Sequence, residues 1–528
     1  MDILFRDNSD RKTVTLSEET LDDLAINEII ETITIREEEQ LVIKGILAEI
    51  PQDIEDIRYR HEIMADMLGN DLLTKSLDEC LDQIRVLRFY AGRMKTSHSD
   101  DSTLFGLLED MRELGVYVSA VENIASCLDE ADLKSAGLIA LRDSLREITE
   151  QEEFKAIKSD VEKLVRDLSN VRSVMVGINL TPDLNIDEIV DVEFNDYYFK
   201  PSFKARFMEM ALGMGIMANT GSSGNSAGMG VNPLSQIRDP DQLLVQLAPI
   251  MNKKLKNYYH LLKRTLTKHM NIDGYFITDI LDGLTFYVRM AKFAARIQEL
   301  GGDICKPEIN DSGEFRLKDF YNLRLAIRGE EEIVLNDFEF TPKEKLFILT
   351  GPNRGGKTIL EQGIGLSALM ASVGSFVAAK ECSGTPFGNI LTHFPQDENL
   401  TINYGRLGEE AIRTKEIARV ADDRTLILFN ETYSTTSNAD GLYLSKDLMH
   451  VLKEKGSAVI FNTHIHELAS EIDEMNKWDG ESDIVSIIME IIDEENTFHV
   501  KRSKPDKNSH ARNVALKYGI TYEQMIEQ

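Results

Sequence analysis

The run Gly351-Pro-Asn-Arg-Gly-Gly-Lys-Thr358 constrains this chain more than any other stretch of it. It satisfies the pattern G-x-x-x-x-G-K-[ST] in full. The apolar run from Lys345 to Thr350 precedes it and a helical pattern follows it, and strand–loop–helix is the context that gives the pattern meaning. The chemistry explains the spacing. Gly351, Gly355 and Gly356 let backbone N–H groups close around phosphate oxygens, with Pro352, Asn353 and Arg354 completing the loop. Lys357 can reach the β- and γ-phosphates, and Thr358 can place its hydroxyl on Mg²⁺. The helix N-terminus adds a dipole of the right sign for an anion. The expectation is a nucleotide site.

Such a site predicts a second strand that delivers acid to the same sheet edge. Thr425-Leu-Ile-Leu-Phe-Asn-Glu431 fits. Ligands of open α/β sheets sit at the carboxyl ends of the strands, so Glu431 is placed to orient or deprotonate an attacking water. The residue before it, which with Thr358 would face the metal, is usually Asp; here it is Asn430. A neutral amide can hydrogen-bond a metal-bound water but adds no charge, which predicts weaker Mg²⁺ binding or slower hydrolysis. A third strand pattern ends in Phe461-Asn-Thr-His464-Ile-His-Glu-Leu468. His464 at that strand end can sense a γ-phosphate by hydrogen bonding, whereas His466 reads as an ordinary helix residue.

The rest of the chain falls into two regions. Residues from about 16 to 175 read as successive amphipathic helices, with Ser17 as a helix start. Val174 to Tyr198 alternates and reads as a strand or hairpin. The Gly/Met-rich stretch 213–233 reads as a flexible loop, and helical patterning resumes from Asp239 to Gly301. From about 315 onwards strands alternate with helices, the signature of an α/β domain with a largely parallel sheet. The expected plan is a mostly α-helical region over 1–312 and an α/β nucleotide-binding domain over 313–528. The four cysteines, Cys80, Cys127, Cys305 and Cys382, are far apart and make neither a zinc ribbon nor a disulfide framework. The uncharged runs Gln362–Ala379 and Met210–Ile237 carry too many Gly, Ser and Asn residues to span a bilayer. The first residues lack a signal-peptide pattern. A cytoplasmic protein away from membranes is the base expectation.

The three site elements together resemble the MutS family of DNA mismatch-repair ATPases, a branch of the ABC-type P-loop ATPases. Gly351 to Thr358 fits that family's narrower loop, and Thr463, His464, Glu467 and Leu468 fit its TH-x-x-EL segment. Residues 509–521 are similar to the segment that closes its ATPase domain. Ile54 to Leu68 is similar to the start of its helical core. The resemblance implies an ATP hydrolase using ATP and Mg²⁺, with Val334 and His499 flanking the base. It also implies a nucleotide-gated dimer acting in DNA mismatch repair or on another DNA structure. The partner's signature segment would lie around Tyr404 to Glu410, without the serine usual there. Thr432 to Ser437 likewise departs from the usual Gly-Arg-Gly-Thr loop. The resemblance further implies a short member without the N-terminal mismatch-reading and connector domains, with 213–233 in the place of the clamp.

DNA binding has to be reconciled with a net charge of −31, which opposes a chain-wide nucleic-acid surface. Residues 251–269 are the local exception, with six Lys/Arg and no acid. On a helix, Lys253, Lys254, Lys256, Lys263 and Arg264 could contact the phosphates of duplex or structured DNA. The competing expectation is a MutS-like, nucleotide-switched protein-interaction module with weak hydrolysis and no DNA binding.

Overall fold

The computed structural model describes residues 2–6, 11–94, 104–168, 172–182, 186–198, 256–269, 276–330, 332–352, 354–395, 406–492, 495–504 and 525–526. They form two compact units. One comprises Met1–Leu81, Ile124–Ser144 and Asp279–Gln528; the other comprises Asp82–Asn123 and Leu145–Thr278.

The chain opens with β1 (Thr13–Thr15), α1 (Glu18–Asp23), α2 (Ile26–Ile33), α3 (Glu37–Ala48), β2 (Glu49–Pro51) and α4 (Ile54–Leu68). The Ser17 hydroxyl caps α1 by accepting from the Thr20 N–H at 3.1 Å. Ile26, Ile29, Ile30 and Ile33 give α2 one buried stripe. The antiparallel β1–β2 pair interrupts what the periodicity reads as helix after helix, because three-residue strands are too short to show a period. Helices α5 (Asp71–Met94), α6 (Leu104–Glu130) and α7 (Ala136–Glu150) contribute residues to both units.

The second unit adds α8 (Glu152–Leu168), the antiparallel hairpin of β3 (Ser173–Leu180) and β4 (Ile186–Asn195), and α9 (Lys256–Lys268). Its core includes Leu107, Leu164, Leu262 and Leu266. The loop read at 213–233 lies outside the described residues, as does Asp239–Leu255.

The second unit ends within α10 (Phe276–Asp279), and the first resumes with α11 (Leu281–Glu299), β5 (Glu308–Ile309), β6 (Phe315–Phe320), α12 (Leu323–Arg328), β7 (Asn336–Phe340) and β8 (Glu344–Thr350). Next come α13 (Lys357–Val373), β9 (Glu381–Gly384), β10 (Asn389–His393), α14 (Arg406–Val420), β11 (Thr425–Asn430), α15 (Asn438–Lys455) and β12 (Ala458–Asn462). Last are α16 (His466–Ser470), α17 (Ile472–Met475), β13 (Asp483–Ile492) and β14 (Glu495–Arg502). The unit is mixed α/β with several sheets.

Its main sheet has the order β10-β11-β12-β8-β13-β14, parallel except for β14. All residues of β11 and β12 are buried, as expected of central parallel strands covered on both faces. The β11–β12 register pairs Asn430 with Asn462, so both amides reach the carboxyl edge together. The smaller sheet, β5-β9-β6-β7, is built from segments too short and too polar to stand out in the sequence.

The uncharged run starting at Gln362 is the buried body of α13. Its small residues permit close packing: a Cβ on Gly365 would sit 2.6 Å from both Leu24 and Leu428 side chains. Among the described residues no helix is long and apolar enough to cross a membrane.

Candidate nucleotide site

The loop between β8 and α13 carries the positive φ values that its glycines allow, +149° at Gly351 and +86° at Gly356. Arg354 takes φ +64° without that freedom. Asn353 lies outside the described residues. Lys357 begins α13 and folds back over the loop, donating through Nζ to the carbonyl oxygens of Gly351 at 3.1 Å and Pro352 at 3.2 Å. Burial lowers the Lys357 pKa, against the raising influence of the Glu431 and Glu361 carboxylates. An ammonium held on two carbonyls and largely desolvated is poised to exchange them for anionic oxygens.

Thr358 donates its hydroxyl to Asn430 Oδ1 at 3.2 Å. The same oxygen accepts from Asn462 Nδ2 at 2.6 Å, and Asn462 Nδ2 also donates to Glu361 Oε2 at 3.4 Å. Glu361 is fully buried, and burial raises its pKa well above the carboxylate range. Glu361 Oε1 and Asn462 Oδ1 are buried without a hydrogen-bond partner. Oxygen donors from a hydroxyl, an amide and nearby carboxylates, with two oxygens left unsatisfied, fit the preference of Mg²⁺. Among the described residues no three His, Cys, Asp or Glu side chains gather as a metal cage.

Across the cleft, His464 Nε2 lies 2.7 Å from Glu431 Oε1. Glu431 stands just past β11 at φ +53°, and its N–H donates to the Asn462 carbonyl at 2.9 Å. Tyr433 follows at φ +61°, with its N–H donating to Glu410 Oε2 at 3.0 Å. The turn after the strand is thus pinned by a residue of α14. Tyr404 and Gly405, the start of the expected signature segment, lie outside the described residues, as do 509–521.

A cavity of about 570 Å³ joins these groups. It is lined by Arg354 to Thr358, Glu431, His464, Val334, Asn336 and Phe498, among others. Val334, expected to flank the base, lines this cavity. His499 is exposed on β14 and does not line the cavity; its neighbour Phe498 does. Phe498 takes φ +58°, and its ring would lie 3.0 Å from a Cβ on Gly356. Asn336 fixes this turn, donating to the Phe498 carbonyl at 3.1 Å and accepting from the Val500 N–H at 2.8 Å. Sequence reading missed both residues, since strand alternation carries no sign of a left-handed residue at 498. His466 opens α16 on the exposed side.

In the second unit, Lys256 and Arg264 are exposed and Lys263 half-buried on α9. Lys263 and Arg264 line an open cleft with Lys268, although Lys268 is paired with Asp160 at 2.8 Å. Lys253 and Lys254 lie outside the described residues.

Residues 347–526 match the family model described as MutS domain V, an ATPase domain. The chain is 34% identical over 188 residues to the DNA mismatch repair protein MutS of Prochlorococcus marinus, covering 35% of this chain and 20% of that protein. It is 24% identical over 440 residues to the DNA mismatch repair protein MutS of Methanosarcina barkeri, covering 79% of this chain and 47% of that protein. It is 34% identical over 164 residues to Endonuclease MutS2 of Caldicellulosiruptor saccharolyticus, covering 31% of this chain and 20% of that protein. The chain thus spans no more than about half the length of these relatives. These matches make the chain similar to proteins of the MutS family.

Proposed function

We propose that the chain is a MutS-like ATPase with a P-loop fold over 313–528, preceded by a helical region over 1–312. It binds and hydrolyses ATP with Mg²⁺ and acts on DNA as a nucleotide-gated homodimer. The observation that carries this reading is the Glu431–His464 contact of 2.7 Å, which lines one cavity with Lys357 and Thr358.

The geometry supports the following roles. The loop N–H groups and Lys357 bind the phosphates. Thr358 would hold Mg²⁺ directly and Asn430 through a water. The ion supplies charge neutralisation on the transferring phosphoryl oxygens. Glu431 orients the attacking water and takes its proton at Oε1 or Oε2. His464 holds the Glu431 carboxylate and stands within reach of the γ-phosphate end of the site. Lys256, Lys263 and Arg264 would contact DNA phosphates, a contribution that falls steeply with salt.

Steady-state ATP hydrolysis with Mg²⁺, with and without duplex and branched DNA, tests the proposal beside Glu431→Ala. Turnover that requires Glu431 and responds to DNA is the expected result. Tight ATP binding with no turnover and no DNA response overturns it and leaves a nucleotide-switched protein-interaction module.

A further inference from the structure

The carboxyl edge of the main sheet offers a metal site an unusual pair, the neutral amides of Asn430 and Asn462 at matched positions on β11 and β12. A triphosphate-bound divalent cation favours negative oxygens around it. Behind the amides, on α13, is a carboxyl group that neither the binding loop nor the Glu431–His464 pair uses. Glu361 lies one helical turn beyond Lys357 and Thr358, on the face of α13 that meets those strands. It is fully buried. One oxygen accepts from Asn462 Nδ2 at 3.4 Å, and the other has no partner.

The two hydrogens of Asn462 Nδ2 have separate destinations, Glu361 Oε2 and Asn430 Oδ1. Asn430 Oδ1 is also where the Thr358 hydroxyl donates. A continuous chain of hydrogen bonds therefore runs from Glu361 through Asn462 and Asn430 to Thr358. The charged groups around Glu361 are Asp23 and Glu431, of like sign, and Lys357, of opposite sign. Lys357 Nζ donates to the Gly351 and Pro352 carbonyls. A divalent cation beside Thr358 is the counter-charge this buried acid lacks.

Resting on the nucleotide reading above, we propose that Glu361 is a positioning carboxylate of the metal site. Through Asn462 it orients the Asn430 amide and supplies from α13 the acidic group that the end of β11 does not carry.

The test is Mn²⁺ binding by the full chain in the presence of ADP, followed by the electron paramagnetic resonance signal of free Mn²⁺. Binding of a fluorescent ADP analogue in EDTA is measured alongside. Glu361→Gln should weaken Mn²⁺ binding by about tenfold or more, the usual effect of losing an outer partner of a metal site, and leave metal-free ADP binding unchanged. Asn430→Asp placed in the Glu361→Gln background should restore Mn²⁺ affinity, because it returns one negative charge to the site. Asn462→Ala cuts the relay while keeping the acid, and should weaken Mn²⁺ as Glu361→Gln does. It serves as the readout if Glu361→Gln does not fold. Unchanged Mn²⁺ affinity in these variants, equal loss of metal-free ADP binding, or failure of Asn430→Asp to rescue overturns the proposal while the nucleotide site stands. A wild-type chain that binds neither Mn²⁺ nor ADP overturns the nucleotide reading itself.

Discussion

Arg289 donates to both carboxylate oxygens of Glu39, from Nε to Oε2 at 2.8 Å and from Nη2 to Oε1 at 2.6 Å, with both side chains almost wholly buried. Arg289 Nη1 also reaches Asp78 at 2.6 Å. These bonds tie α11 to α3 and α5. Because two charges have already been desolvated, losing one partner strands the other. Arg289→Met should therefore cost about 3–5 kcal/mol, and replacing both Arg289 and Glu39 by apolar residues should recover much of it. Urea unfolding midpoints of the single and double variants check this. A double variant no more stable than Arg289→Met would contradict it.

Gly374 ends α13 at φ +86°, and a Cβ there would stand 2.2 Å from the Cβ of Arg60. Arg60 is buried, with its guanidinium donating to the carbonyls of Leu4 at 2.7 Å and Val373 at 3.3 Å, and it lies over the Phe5 ring. Gly374→Ala should destabilise by roughly 2–4 kcal/mol, combining a strained φ with overpacking. Gly301 has the same φ, +85°, but nothing near its Cβ position. Gly301→Ala should cost only about 1 kcal/mol. Thermal melts of the two variants separate the steric effect from the backbone effect.

Two buried histidines set an acid limit to stability. His61 lies beneath α13, its Nε2–H donating to the Ala371 carbonyl at 2.8 Å, and burial pushes its pKa down to about 4. Burial, then the Arg413 charge, pushes His393 down to about 4 as well. Unfolded, each titrates near 6.5. The stabilisation is complete above pH 6.5. It is lost as pH falls toward 4, because the unfolded chain takes up protons that the folded one refuses. The slope is about 1.4 kcal/mol per pH unit per histidine. Unfolding free energies between pH 7.5 and 4.5 should fall less steeply in His61→Gln and His393→Gln than in the wild type.

The strands that build the site are legible in the sequence because β8, β11 and β12 are continuous apolar runs closed by polar residues. Glu431 and His464 are found because each follows such a run. Their meeting at 2.7 Å needs the parallel register of β11 and β12, which no local pattern contains. Glu361 is invisible for a different reason. One polar residue in a helix reads as solvated, and only the three-dimensional cover of α1, β11 and β12 makes it buried. That Phe498 and not His499 lines the cavity has a backbone cause. Phe498 takes a left-handed φ, and β13 shifts register between Met489 and Ile491 opposite that stretch. Period-two counting fails at such a kink. The long acidic helices are legible as helices, yet their division between two compact units is not, since α5, α6 and α7 each run through a boundary without any break in periodicity.

Phe498 and His499 offer a direct contrast at the candidate nucleotide site. The Phe498 ring lies beside Gly356 at the start of α13 and borders the cavity with Val334. A planar apolar ring next to a phosphate-binding loop is suited to pack against a nucleobase, and removal of such a contact costs about 1–3 kcal/mol. Phe498→Ala should raise the KM for ATP about tenfold or more while kcat changes little, because a contact to the base contributes equally to ground and transition states. His499→Ala, whose side chain is outside the cavity, should leave KM within about twofold, as exposed substitutions away from a contact usually do. Asn336→Ala should resemble Phe498→Ala in weaker form, since Asn336 holds the 498–500 backbone from both sides. Initial-rate kinetics of the three variants, with fluorescent-nucleotide binding as a check on KM, test the assignment. A larger effect at His499 than at Phe498 would move the base contact back to the neighbouring residue.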